Sequence, residues 1–474
     1  MRSKHLTLMV IALAVGAMFR ANAQVPPPES VPSRVGVGQP VKTGEKAVEP
    51  STRPQGAKDR RSLQRGGDAF KKMPQTPGAE AALWVERGDA LMQKSREWFD
   101  GRLYAQAESA YLQALALDRE HEAAMVGLAW VYNSEHSFDA GKDWAQKALA
   151  RNPRLPHAHA LLGDAAVELG DYEDAFEHYQ KALDIRPDLS SYSRAAHLMW
   201  LTGDTRKARW LMNKAVAAGG THAENIAWCQ AELALMSFQD GALLPAERQA
   251  ESALEHAPTN RHALAIMGRI KVAKKEYPAA IQFYQRALDI SLDHDSLVAL
   301  GDLYALTDRR EQAEEQYKRV VALHNSATNH SHGGSVHAHG HAQLAHFYAD
   351  HDRNLDEALR QAELAYGTYK NVYVADTLAW CYYQKGDYEK ARKLIRKALQ
   401  HNTPDAMFLY HAGMVCSKTG EIGAAQKYLY QALSLNPNFH PRHPTTAAET
   451  LQALAARRSV EKSEEHPVTP VSSK

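Results

Sequence analysis

Small side chains return along this chain at a nearly fixed interval. Gly268 and Gly301 stand 33 residues apart, and Ala379 and Gly413 stand 34 apart. Each is followed by a turn signal and a second apolar stretch. An interval of that length is too short for a domain. It suits one helix–turn–helix unit that buries its apolar face only by stacking on its neighbours. The stretch from His157 to Pro187 shows the physics most fully. Leu161 and Leu162 precede Gly163, a turn follows at Gly170-Asp171-Tyr172, and Ala175, Tyr179 and Ala182 precede Pro187. Two antiparallel helices approach closely only where side chains are small, which assigns Gly163, Ala175 and Ala182 to the contact. Leu162 and Tyr179 fill the space that the small residues leave. Gly170 can take the left-handed conformation that ends the first helix, and Pro187 ends the second.

The same skeleton recurs. One unit carries Gly268, Tyr277, Ala280, Tyr284 and Ala287, and the next Gly301, Tyr304, Ala313 and Tyr317. Further units carry Leu378, Ala379, Gly386, Tyr388, Ala391 and Ala398, then Gly413, Gly420, Ala425, Ala432 and Pro437. Weaker copies are marked by Gly88 and Tyr111, by Gly127 and Pro153, by Ala196 and Gly203, and by Gly241 and Pro258. This pattern resembles the tetratricopeptide repeat, whose period is about 34 residues, and the resemblance extends over roughly three-quarters of the chain. The C-terminal segments Thr377-Leu378-Ala379-Trp380 and Leu409-Tyr410-His411-Ala412-Gly413 are similar to exported bacterial proteins of this kind. The fold class implied is all-α, a right-handed solenoid of about ten helix–turn–helix repeats with a C-terminal capping helix. The solenoid is expected over 81–440, the cap over 441–457, and a disordered tail over 458–474.

What precedes the repeats is different in kind. Arg2 and Lys4, the apolar run from Leu6 to Phe19, and Ala21-Asn22-Ala23 have the form of an export leader over 1–23. The run is shorter than the ~20 residues of a spanning helix, and no later segment is apolar enough to be transmembrane. A periplasmic or secreted location is therefore expected. Residues 24–80 are rich in Pro, Gly and charge, with no sustained apolar period, and are expected to form a disordered linker. Loss of Arg2, Lys4 and Arg20 from the 56 basic residues leaves 53 against 55 acidic, which gives no electrostatic footprint for nucleic acid. Three cysteines, Cys229, Cys381 and Cys416, are too few for a disulfide framework and suit the core.

The sequence holds no Gly-x-Ser-x-Gly elbow and no phosphate-cradling loop, so a binding protein rather than an enzyme is expected. The family resemblance implies that first helices line a concave groove that receives a protein or peptide. Carried onto the last two units, it assigns the groove to Tyr373, Asp376, Trp380, Tyr383, Met407, Tyr410 and Met414. Aromatic and methionine side chains supply large contact area to varied partners. The alternative is that some of them pack as ordinary core. The Lys/Asn/Arg clamp of cytosolic chaperone-tail binders is absent, since Asp164, Val298, Asp302, Asp376 and Trp380 stand in its places.

Histidine suggests a second function. Eight of the 24 histidines fall between His324 and His351, where the period breaks. His330, His332, His337, His339 and His341 are candidate ligands for Zn, Ni or Cu, because neutral imidazole binds all three. The opposing reading is a tolerated hydrophilic insertion, near 325–341. Matching His346 to Gly301 makes the insertion eleven residues long and places His346 at a helix contact, packed rather than ligating.

Overall fold

The computed structural model describes residues 76–465, apart from Phe99, Thr221 and 329–336. The leader, the linker up to residue 75, and residues 466–474 lie outside the described residues. The remainder belongs to one compact unit. Among the described residues there are twenty-one helices and no strand. The first three antiparallel hairpins pair α1 (Pro77–Trp98) with α2 (Arg102–Leu117), α3 (Glu122–Ser134) with α4 (Phe138–Arg151), and α5 (Pro156–Leu169) with α6 (Tyr172–Ile185). The next four pair α7 (Leu189–Leu201) with α8 (Thr205–Ala218), α9 (Ala223–Gln239) with α10 (Leu243–His256), α11 (Arg261–Ala273) with α12 (Tyr277–Ile290), and α13 (His294–Leu306) with α14 (Arg310–Thr328). The last three pair α15 (His337–Asp350) with α16 (Leu355–Thr368), α17 (Val372–Gln384) with α18 (Tyr388–Ala398), and α19 (Ala406–Lys418) with α20 (Ile422–Leu435). Helix α21 (His443–Glu465) follows. It runs into the segment expected to be a disordered tail, because polar helix formers continue until Pro467.

Each hairpin is built around the contact that the sequence marks. A Cβ on Gly163 would lie 2.3 Å from the Tyr179 ring, one on Gly268 2.6 Å from Tyr284, and one on Gly301 2.5 Å from Tyr317. The second-helix tyrosine therefore lies flat on the small residue, and its hydroxyl reaches past it. Tyr179 donates to Asp164 and Tyr317 to Asp302, each at 2.8 Å. Both aspartates directly follow the small residue, so that next position faces the inner surface of the solenoid. Aspartate and asparagine caps start many helices, among them Asp188, Asn260, Asp293, Asn371 and Asp405.

The match of His346 to Gly301 is off by one residue. The turn after α13 puts Asp308 at φ 59°, and the turn after α15 puts Asp352 at φ 51°. Counting back from these turns aligns Gly301 with Ala345, 44 residues on, so ten residues are inserted. Ala345 is fully buried at the helix contact. His346 is instead the inward-facing residue, in step with Asp164, Asp302 and Trp380. The insertion hid this, because it left no local period to count from. All three cysteines are buried and unpaired.

The solenoid winds tightly enough for units six apart to touch. Turns of the third, fourth and fifth hairpins dock on the loops before α17, α19 and α21. The Val372 amide donates to the Tyr172 hydroxyl at 3.2 Å, Thr403 donates to the Leu201 carbonyl at 2.6 Å, and Asn436 donates to the Phe238 carbonyl at 2.8 Å. These loops satisfy backbone groups that one layer of helices leaves open. The inner face of the solenoid thereby becomes the wall of an interior.

Candidate functional site

First helices supply that interior wall, and one part of it stays open. A cleft of about 480 Å³ lies between α11 and α13 on one side and the segment from Asn436 to Thr445 on the other. Val272, Val298, Leu306, Met407 and Phe439 line it, with Arg269 and Lys275 among the charged residues present. Leu306 is 41% exposed, so apolar surface here is left uncovered.

The residues assigned to the groove in the last two units separate into two groups. Tyr373 is 40% exposed and stands edge-on to Phe408, with ring centroids 5.3 Å apart. Tyr383, Met407 and Met414 are half-buried, and Met407 lines the cleft. Asp376, Trp380 and Tyr410 are each only 2% exposed. Trp380 lies between Tyr383, stacked at 4.7 Å, and His411, stacked at 4.1 Å. It does not offer a face to a partner. The C-terminal segment causes this: His443 of α21 stacks on Tyr410 at 4.5 Å, and Thr450 reaches Met414. Sequence reasoning placed the cap at the end of the stack and missed that its first turn folds inward.

The covered part of the wall is polar. His411 Nδ1 lies 2.9 and 3.0 Å from the two oxygens of Asp376. Asp350 accepts from His443 at 2.6 Å, with His440 at 3.4 Å and Arg442 at 3.3 Å. Asp302 meets His351 at 2.7 Å. Burial works against the charge on Asp350, but the His443 hydrogen bond and the neighbouring imidazoles outweigh it and hold its carboxyl well below the usual range. Burial, with His443 alongside, pushes His440 down to about 3. The sequence marks Asp376 and Asp302 only as groove and clamp positions, and their pairing with histidines was not legible because the partners come from α13, α15, α17, α19 and the cap. A signal was present in His346-x-x-x-Asp350, one helical turn apart on one face.

Of the insertion histidines, His330 and His332 lie outside the described residues, as do the side chains of His337 and His339. His341 is described, with Nδ1 against the Gln361 side-chain oxygen. The structure therefore gives no coordination geometry for the insertion.

Paired helices stacked on a small-residue contact, in phase over ten units, define a helical-repeat solenoid. The tetratricopeptide repeat family matches residues 156–189, 372–405 and 408–439, which are the third, ninth and tenth hairpins. The chain is a tetratricopeptide-repeat protein. Anaphase-promoting complex subunit 3 of Schizosaccharomyces pombe is 25% identical over 175 residues, 35% of this chain and 25% of that subunit. The chloroplast PsbB mRNA maturation factor Mbb1 of Chlamydomonas reinhardtii is 33% identical over 89 residues, 18% of this chain and 13% of that factor. The matched stretches thus span a quarter or less of these relatives. The crystal structure of the APC/C hetero-tetramer Cut9–Hcn1 aligns over 83% of this chain and 81% of that one, at 16% identity and a TM-score of 0.40.

Proposed function

We propose that this chain is an exported adaptor that holds an extended protein segment in the cleft between its middle repeats and its C-terminal segment. The observation that carries this reading is the open apolar lining of Val272, Val298, Leu306 and Met407, beside a wall that the cap otherwise covers. An extended segment can lay apolar side chains along this lining, where Arg269 and Lys275 stand among Asp295, Asp302, Asp350 and Asp405. Tyr373 and Met407 keep a place in the reading, whereas Trp380 and Tyr410 act by supporting the wall. Export rests on the leader sequence, and mature protein is expected to begin at Gln24. Among the described residues no helix is long and apolar enough to cross a membrane. The near balance of charge favours a protein or peptide over nucleic acid.

Charge placed in the cleft tests the reading. Val298→Arg should weaken capture of the partner at least tenfold with helix content retained, while Tyr430→Arg, at a side chain 68% exposed on α20, should leave it unchanged. Equal binding by the Val298 variant and wild type would sink the cleft as the site. N-terminal sequencing of mature protein that returns Met1 would sink export.

A further inference from the structure

We propose that His346, Asp376 and His411 form a site for one divalent transition-metal ion of the zinc class, on the inner wall and apart from the histidine-rich insertion. The three residues come from α15, α17 and α19, the first helices of three successive hairpins. One ligating atom from each lies within 4.8 Å of the other two. Zinc bonds of about 2.0–2.1 Å set tetrahedral ligand atoms roughly 3.3 Å apart, so closure needs side-chain shifts on the order of 1 Å.

Bonding within the cluster is incomplete without an ion. His411 is 0% exposed; Nδ1 faces Asp376, and Nε2 has no hydrogen-bond partner. His346 makes no hydrogen bond among the described residues, although its ring centroid is 6.1 Å from that of His411. An unpaired buried nitrogen costs about 1–3 kcal/mol, so such atoms collect where a ligand is received. Two neutral imidazoles and one carboxylate suit zinc and its neighbours rather than magnesium or calcium. Half-buried His346 supplies the side chain that can still move.

A second group, Asp350, His440 and His443, is equally close-set but reads differently. His440 Nδ1 accepts from the backbone amides of Arg442 and His443 at 3.2 and 3.3 Å. In a neutral ring that places the proton on Nε2, which points it at Asp350 as a donor and removes it as a ligand. With His443 and Arg442 also donating, Asp350 is satisfied by protein alone. This group anchors the cap and carries no ion.

The test uses the full chain, stripped by chelator and titrated with Zn²⁺, or with Co²⁺ for its visible absorption. His330, His332, His337, His339 and His341 are replaced by Asn to remove binding by the insertion. One equivalent of Zn²⁺ should remain in that variant. Adding His346→Gln should weaken it at least tenfold and abolish the Co²⁺ bands, while excess Mg²⁺ should not compete. Asp376→Asn should do the same where it folds. His346→Gln is the decisive variant because His346 has no hydrogen bond to lose. Loss of all binding with the five insertion histidines, or unchanged affinity in His346→Gln, would overturn the proposal.

Discussion

A tyrosine ring pressed on a glycine is the residue-scale device that joins the helices of the first, third, sixth and seventh hairpins, and in the tenth Leu429 takes the place of the tyrosine on Gly413. Tyr179 is buried and tied through its hydroxyl to Asp164, which Arg194 also holds at 2.8 Å, so the ring has nowhere to retreat. Gly163→Ala should therefore destabilise the protein by about 1–3 kcal/mol through overpacking. Gly423, in the first turn of α20, has nothing within 4 Å of a built Cβ. Its change to alanine should be neutral or stabilising by up to ~1 kcal/mol. Urea denaturation of the two variants makes the comparison, and equal losses would remove the steric account. The glycine–tyrosine pairing was legible in the sequence because both partners lie within one period. The burial of Trp380 was not, because His411 and His443 come from two other helices.

Helices and hairpins followed from periodicity alone, while the contacts between solenoid turns did not. Those contacts join loops about 200 residues apart, and no local pattern marks them. The turn glycines provide a test at this scale. Gly203 (φ 83°) and Gly386 (φ 82°) share a left-handed backbone. A Cβ on Gly203 would meet the Asn402 carbonyl oxygen at 2.8 Å, whereas one on Gly386 would meet nothing within 4 Å. Both alanine variants should lose the ~1–2 kcal/mol of left-handed strain, and Gly203→Ala should lose about 1–3 kcal/mol more. Matching denaturation midpoints would mean that the turns are not docked in solution.

Glu168 reports on the same docking through pH. Burial, assisted by Asp164 and opposed by the Asn371 hydrogen bond, pushes its carboxyl up to about 7. Between the unfolded value near 4.5 and this folded value, the native state binds more protons than the unfolded chain. The contribution of Glu168 to stability is thus complete below pH ~4.5 and is lost as pH rises through about 7. Denaturation midpoints taken from pH 5 to pH 8 should fall more steeply in wild type than in Glu168→Gln. Parallel profiles would place Glu168 in solvent.

At the scale of the whole molecule, contacts between successive solenoid turns accompany a cleft between α11, α13 and residues 436–445. The repeat count and the capping helix could be read from the sequence. The position of the cleft could not, because it depends on how tightly the solenoid winds and on where residues 436–445 turn inward. First helices α11 and α13 supply part of the cleft lining. The accessible stretch, though, is set by α11, α13 and Met407 rather than by Trp380 and Tyr410. A photo-reactive amino acid placed at Leu306, and separately at Tyr430, tests this most directly when the chain is irradiated in its native cells. A protein adduct is expected at Leu306 that disappears with Val298→Arg, and none at Tyr430. Adducts at Tyr430 with none at Leu306, or nucleic acid cross-linked at Leu306, would contradict a protein-binding cleft.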